Sequence, residues 1–364
     1  MNMTSLKKLL TNRSNDYTKL TELFKKETGL DIAQDGYNKN VPLTKSCSVI
    51  IPFYKNYSFL KRCLASLWYQ DLPKEFKKNK VEIIIVNDGS PFNLKNFVQQ
   101  AKNFYGSVIY LKLKRNYGRV MARNLGLLYA QNEIIIFLDG DVVISKDFLA
   151  THLLRHEFFD SCVIVGFRHN ISLKDLNSRL DKRKQKIKIL PSYKKDFRYE
   201  KFVPKEWMTG WRSTFRDIPL ENFNKTYHIL EESNHFKDFG KGKIIGVWSL
   251  PFMFLACNAS VARKYVIEVG GFDLRFKGWG CEDTHLGAKL IARGLYLIPN
   301  LHATVYHLMK SNHSKEKRRK IKEFYKNLKL YKTLLNESLV IFKENEWREK
   351  TRKYFANKFS EIFK

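Results

Sequence analysis

Asp139-Gly140-Asp141 closes the apolar run Glu133-Ile134-Ile135-Ile136-Phe137-Leu138, which reads as a buried β-strand. Two carboxylates two residues apart at the mouth of such a strand can grip a hard divalent cation that itself grips phosphate oxygens. The same triplet would also serve as a turn or a helix cap. A second acidic pair, Glu282-Asp283, follows Gly278-Trp279-Gly280-Cys281 and precedes a helical run over residues 284–293. Adjacent carboxylates repel one another. The pair suits either first-turn acids favoured by the helix dipole or a general base beside an acceptor ligand. Trp279 offers an indole face to a sugar, or a side chain to the core. Asp88, in Asn87-Asp88-Gly89-Ser90, can accept hydrogen bonds from a nucleoside base or ribose, or can simply turn the chain. Arg119 and Arg123 fall near the start of a helix, where arginines and helix N-termini both suit pyrophosphate. Arg119 reads as part of a solvated helical face, and Arg123 does not. His307 ends the strand-like Ala303-Thr304-Val305-Tyr306-His307, where a neutral imidazole can complete a transition-metal site or serve the structure. His302 and His313 are its nearby competitors.

Buried strands and covering helices must position these groups. Ser48-Val49-Ile50-Ile51-Pro52-Phe53, Val81-Glu82-Ile83-Ile84-Ile85-Val86 and Val108-Ile109-Tyr110-Leu111 are near-continuous apolar runs like that before Asp139. Helical spacing appears over residues 58–69, 92–105 and 119–130. This alternation predicts an α/β fold with a mostly parallel central sheet covered on both faces. Ligands of such sheets bind outside the carboxyl ends of the strands. Pro52, Asp88 and the Asp139/Asp141 pair all fall there.

Residues 1–45 are polar, with an amphipathic helix expected around Leu20, Leu23, Phe24 and Leu30 and a linker after it. A basic insertion spans about residues 168–243. Apolar pattern returns at Ile244-Ile245-Gly246-Val247-Trp248 and at Leu295-Tyr296-Leu297-Ile298. From residue 310 to 364 the chain is basic and expected to be helical, with Ile321, Phe324, Tyr325, Leu328, Tyr331 and Leu335 on one stripe. That stripe suits packing on the core or peripheral contact with a membrane.

The 364 residues are 44% hydrophobic and 14% aromatic, so they suffice for a large core and argue against a disordered chain. No apolar stretch is long enough to span a bilayer, and the N-terminus lacks the apolar core of a signal peptide. Five scattered cysteines without a Cys-x-x-Cys point to reduced, buried thiols, and hence to a cytoplasmic protein rather than a disulfide framework or zinc site. A formal net charge of +30 admits nucleic acid, anionic lipid, phosphorylated substrates and acidic polymers as partners. Lysine bias accounts for part of it.

Ser48-Val49-Ile50-Ile51-Pro52, Val86-Asn87-Asp88-Gly89-Ser90, Ala122-Arg123-Asn124-Leu125-Gly126, Asp139-Gly140-Asp141 and Gly278-Trp279-Gly280-Cys281-Glu282-Asp283 occur in one order. In that order the chain resembles family 2 glycosyltransferases of the GT-A fold. Gly271-Phe272-Asp273 through Asp283 is also similar to the acceptor-side region of galactosyltransferases and bacterial chondroitin-type polymerases. The resemblance covers about residues 46–168 and 244–308, within a glycosyltransferase domain of residues 46–309 flanked by the two extensions.

The resemblance implies a metal-dependent, inverting transfer of a sugar from a nucleotide-diphosphate sugar, most simply a UDP-sugar, to a saccharide, glycolipid or protein hydroxyl. Pro52, Asp88, Arg123 and Asp139 would lie at the donor. Asp141 would bind Mn²⁺ or Mg²⁺, with His307 a ligand by analogy. Asp283 would be the base, and Glu282 and Trp279 would hold the acceptor. Two other readings stand beside it. A nucleotidyltransferase on a similar sheet would need a glycine-rich basic loop after its first strand, where this chain has Pro52-Phe53-Tyr54. A basic nucleic-acid-binding protein would give no reason for carboxylates at strand ends.

Overall fold

The computed structural model describes residues 4–11, 18–32, 35–92, 94–103, 105–172, 244–245, 248–309 and 314–363. The chain begins with helices α1 (Leu6–Thr11) and α2 (Thr18–Thr28), then enters β1 (Cys47–Phe53). There follow α3 (Tyr57–Trp68), α4 (Lys74–Lys80), β2 (Val81–Asn87), α5 (Lys95–Ala101), β3 (Ser107–Leu113), α6 (Arg119–Tyr129) and β4 (Ile134–Leu138). Short β5 (Val142–Ile144), α7 (Phe148–Phe158) and β6 (Cys162–Ser172) complete the first part. The second part holds β7 (Ile244–Ile245), β8 (Trp248–Ser249), α8 (Leu250–Met253), β9 (Asn258–Ala262), α9 (Arg263–Glu268), α10 (Glu282–Ala292) and β10 (Tyr296–Met309). It ends in α11 (Ser314–Leu334), α12 (Glu344–Phe355) and β11 (Phe359–Phe363).

Among the described residues, nine strands form one sheet in the order β11-β3-β2-β1-β4-β9-β6-β10-β5. β3, β2, β1 and β4 run parallel, so their carboxyl ends share one edge. Antiparallel β9 sits between β4 and β6, and β10 runs parallel to β6. Successive side chains of a strand face opposite ways. In β1, Ile50 faces a core shared with Leu125 and Phe137, while Val49 and Ile51 face another shared with Leu64 and Ile136. All are fully or almost fully buried. Burial on both faces explains the unbroken Ile/Val runs. The second face is covered in part by α3, whose Leu60, Cys63, Leu64 and Leu67 recur at helical spacing.

Several expectations need correction. The helix expected over residues 92–105 is only Lys95–Ala101. Asn87 Nδ2 donates to the carbonyls of Ser90 and Phe92 at 3.3 and 3.5 Å and holds that segment as a turn. β6 runs to Ser172, so residues 168–172 are strand rather than the start of the basic insertion; the rest of that insertion lies outside the described residues. The apolar runs at 295–298 and 303–307 are one strand, β10, with a bulge between Asn300 and Thr304. Asn300 shapes the bulge by accepting from the Ala303 amide at 2.8 Å and donating to the Ile32 and Asp35 carbonyls at 3.0 and 2.9 Å. The C-terminal extension is not all helix, since β11 pairs antiparallel with β3. Its apolar stripe splits: Tyr331 and Leu335 are buried, whereas Ile321 and Tyr325 are exposed. All five cysteines are free and buried, as expected. Among the described residues no helix is long and apolar enough to cross a membrane.

Candidate active site

The parallel strands deliver their ends to a cleft of about 350 Å³ lined by Pro52, Asp88, Arg119, Asp139, Asp141 and Trp279, among others. Close backbone approach sets the β4 corner. A Cβ on Gly140 would stand 3.1 Å from the Pro52 carbonyl oxygen, so glycine lets the two acidic residues turn against the end of β1. At the β2 corner, a Cβ on Gly89 would come within 2.2 Å of the Arg115 backbone, and φ there is +76°. The loops after β2 and β3 are thereby pressed together.

Asp88 binds that junction. Its Oδ1 accepts from the Tyr117 amide at 2.7 Å and its Oδ2 from the Gly118 amide at 2.8 Å. Burial lifts its pKa above the ordinary carboxylate value, against those two hydrogen bonds. Asp88 lines the cleft, but both oxygens already order the loop that starts α6.

Arg123 differs most from its expected role. Its side chain is 1% exposed and spent on carboxylates rather than offered to the cleft. Nη2 donates to Asp139 Oδ1 at 2.8 Å, Nη1 donates to Asp283 Oδ1 at 2.7 Å, and Glu282 Oε1 lies 3.7 Å from Nη1. The guanidinium also lies over the Phe272 ring, 5.3 Å from its centroid. Arg119, one turn earlier on α6, lines the cleft instead, 3.6 Å from Glu282. The expectation of a merely solvated face for Arg119 is thus corrected: helical pattern shows which residues share a face, not what stands opposite them.

Glu282 and Asp283 are indeed first-turn acids of α10. The chain enters that helix through Cys281 at φ +65°, a left-handed conformation uncommon for a residue with a Cβ. Asp283 Oδ2 accepts from the Ala256 amide at 3.3 Å, and Glu282 Oε2 is buried with no hydrogen-bond partner among the described residues. Trp279, 38% exposed at the cleft, lies 5.8 Å from the Phe324 ring of α11. The Trp279 amide donates to Glu323 at 3.0 Å, and Asn327 donates to the Lys277 and Trp279 carbonyls at 3.0 and 3.2 Å. Helix α11 therefore forms one wall of the cleft.

Asp139, Asp141 and Asp283 titrate differently. Burial opposes ionisation of Asp139, but Arg123 and Arg119 outweigh it and hold that carboxyl below its ordinary value. Burial, helped by Asp139, lifts Asp141 above its ordinary value despite the pull of His307. Burial pushes Asp283 up to about 7, with Glu282 and Asp139 adding to the rise and Arg123 opposing it. Burial works against a charge on Arg123, yet Asp283, Asp139 and Glu282 overcome it and hold the proton more tightly.

Asp141 and His307 meet through the sheet. β5 and β10 pair antiparallel with Val142 opposite His307, and Nε2 of His307 lies 3.6 Å from Oδ1 of Asp141. That oxygen is buried and has no hydrogen-bond partner among the described residues. Among the described residues no three His, Cys, Asp or Glu side chains are gathered as a metal-holding group. Two protein donors still fit a hard cation whose remaining positions go to phosphate and water. His302, the competitor, lies elsewhere, near Gly36 and Asp147. His313 lies outside the described residues.

Residues 48–218 match the model of glycosyl transferase family 2, and residues 252–314 match that of the N-terminal domain of galactosyltransferase. Among curated proteins, the chain is 28% identical to the uncharacterized glycosyltransferase YfnE of Bacillus subtilis, over 68% of this chain and 61% of that protein. It is 24% identical to chondroitin synthase of Escherichia coli, over 75% of this chain and 36% of that one. The chain thus spans less than two thirds of each relative. Among solved structures, S. aureus TarS 1-349 in complex with UDP-GlcNAc superposes with a TM-score of 0.50 at 16% identity, covering 86% of this chain and 72% of that one. With two family models in chain order and a mostly parallel sheet whose strand ends carry the carboxylates, residues 48–218 are a glycosyl transferase family 2 region in a chain with the GT-A fold.

Proposed function

We propose that the protein is an inverting, metal-dependent glycosyltransferase that moves a sugar from a nucleotide-diphosphate sugar, a UDP-sugar, to a hydroxyl of a saccharide, glycolipid or protein. One observation carries this reading: a single guanidinium, Arg123, joins Asp139 on the donor side to Asp283 on the acceptor side, and Asp283 is held near neutrality. A carboxyl with a pKa of about 7 is suited to general-base work at physiological pH. Asp283 would take the proton of the acceptor hydroxyl as that oxygen attacks the anomeric carbon from the face opposite the diphosphate. Glu282 and Trp279 would hold the acceptor. Pro52, Asp88 and Asp139 would bound the donor, and Arg123 would fix the spacing of the two halves.

Asp141 and His307 are the residues that would hold a divalent cation, Mn²⁺ or Mg²⁺. When bound, such a cation supplies positive charge to the leaving diphosphate. Arg119, exposed in the same cleft, adds a fixed positive charge from the protein.

A screen of UDP-sugars for hydrolysis with Mn²⁺ tests the reading, because slow transfer to water still identifies the donor. Release of UDP from one sugar nucleotide is the expected result. No cleavage of any UDP-sugar, with cleavage of a nucleoside triphosphate instead, would turn the assignment to nucleotidyl transfer. Asp141→Ala should weaken Mn²⁺-dependent UDP binding at least tenfold, the lower bound for losing even an outer-shell partner of a metal site. Calorimetry with UDP, with and without Mn²⁺, measures this.

A further inference from the structure

Helix α11 has two faces of different character. One packs inward: Asn327, Tyr331 and Leu334 are buried, while Phe324 and Glu323 contact the Trp279 segment. The other is exposed and carries Arg318, Lys322, Lys326, Lys329 and Lys332, with Ile321 and Tyr325 among them. At about 100° per residue these seven fall within an arc of about 140° on the helix. No acid lies in that arc. The acids of α11, Glu316 and Glu323, project from the opposite side and pair there with Lys320 at 2.9 Å and Arg319 at 3.3 Å. Among the described residues, none of the five outward cations takes part in an ion pair.

A run of charge on a helix is usually just a solvated face, and α12 shows what that looks like here. Its exposed surface mixes signs, with Glu346 and Glu349 among Lys350, Arg352 and Lys353, and Glu349 pairs with Lys353 at 2.7 Å. The outward face of α11 has one sign only. It also exposes two large apolar side chains, Ile321 at 46% and Tyr325 at 66%. Solubility alone gives no reason to surround exposed isoleucine and tyrosine with cations. An interfacial helix has this composition: basic side chains meet anionic headgroups while apolar ones enter the headgroup boundary.

We propose that the outward face of α11 docks on an anionic lipid surface. Arg318, Lys322, Lys326, Lys329 and Lys332 would meet the headgroups, and Ile321 and Tyr325 would enter the boundary. Because the inward face of the same helix walls the cleft through Glu323 and Trp279, docking sets the cleft one helix diameter, about 10 Å, from the membrane surface. The assignment rests on the charge pattern and exposure of α11, independently of the reaction performed in the cleft.

Vesicle flotation of the full chain tests it, using phosphatidylcholine vesicles with and without phosphatidylglycerol. The wild type should float with the anionic vesicles, remain behind with the neutral ones, and be released by high salt. Lys322→Glu/Lys326→Glu/Lys329→Glu should lose that binding, since each cation near such a surface contributes about fivefold in partitioning. Ile321→Ser/Tyr325→Ser should keep the charge preference but be released at lower salt than the wild type. All of these positions are exposed, so an unchanged thermal melt checks that each variant is folded. Equal binding of wild type and charge-reversed protein would overturn the proposal. So would no preference for anionic vesicles, or capture by soluble polyphosphate with no flotation, which would make the face a polyanion site.

Discussion

Two polar clusters in this molecule hold strongly shifted titratable groups, and they behave differently. Behind the sheet, between α7 and β9, His152 and His156 share Ser260. His152 Nδ1 lies 2.8 Å and His156 Nε2 2.9 Å from its hydroxyl, and His152 Nε2 lies 3.0 Å from Asn258 Oδ1. Burial pushes the two imidazoles down to about 3 and about 4, so both are neutral. Every ring nitrogen has a neighbour, since His156 Nδ1 lies 3.5 Å from the Cys162 sulfur, and the five residues are fully buried. Beside the cleft, Asp139, Glu282 and Asp283 compete for one guanidinium, though of the three only Asp139 lines the cleft, and among the described residues buried oxygens of Asp141 and Glu282 have no hydrogen-bond partner. A displaced pKa alone therefore does not mark a working site. Displaced titration together with unmet hydrogen-bonding capacity beside an open cleft is what our proposed reading rests on.

The sharpest way to break the comparison is Asp283→Asn. Turnover should fall about 10²–10⁴-fold, the usual worth of general-base help, while UDP binding holds. Wild-type turnover would remove the cleft's claim to chemistry. Arg123→Met comes next. Stripping the shared cation leaves buried carboxylates uncompensated and should cost about 3–5 kcal/mol in urea unfolding. A loss below 1 kcal/mol would mean that the carboxylates hold their geometry, or take up protons, without it.

On the other side of the comparison, Ser260→Ala should cost about 1–3 kcal/mol, because two buried imidazoles lose a partner. Activity per folded molecule should not change. A kcat effect would make the histidine cluster functional and dissolve the contrast.

The mildest test is pH. The base form of Asp283 accumulates above about 7, so kcat/KM should rise about tenfold per pH unit below that value and level off above it. The same group affects stability. Its unfolded carboxyl releases a proton near 3.8, while the folded one keeps it to about 7. Between these values the folded state holds the extra proton, and this group's contribution to stability declines as pH rises. A flat activity profile from pH 5 to 8 would take the base role from Asp283.

Much of the sheet was legible because burial on both faces demands unbroken Ile/Val runs, and those runs end at Pro52, Asp88 and Asp139. The spacing of Glu282 and Asp283 after a glycine-rich turn was equally plain. Antiparallel β9 was not foreseen, since Asn258-Ala259-Ser260-Val261-Ala262 is small and polar enough to pass for loop. Its Ser260 hydroxyl meets His152 and His156 of α7, and its Asn258 side chain meets His152 and the Ala303 carbonyl of β10. The edge strand β11 was hidden in a basic tail by its shortness.

What the sequence by itself determined is the kind of chemistry: which acids end which strands, and the two-faced sheet that holds them. Chain order and side-chain type decide both, through periodicities of two and 3.6. Only the tertiary structure decided the division of labour between the arginines. Arg119 and Arg123 are one turn apart on the same helix, and its pattern set Arg119 on a solvated face without showing what either would meet. Packing buries Arg123 among Asp139, Asp283 and Glu282 and leaves Arg119 facing the cleft. The difference depends on α10, more than 150 residues further along the chain, whose approach fixes where those carboxylates stand.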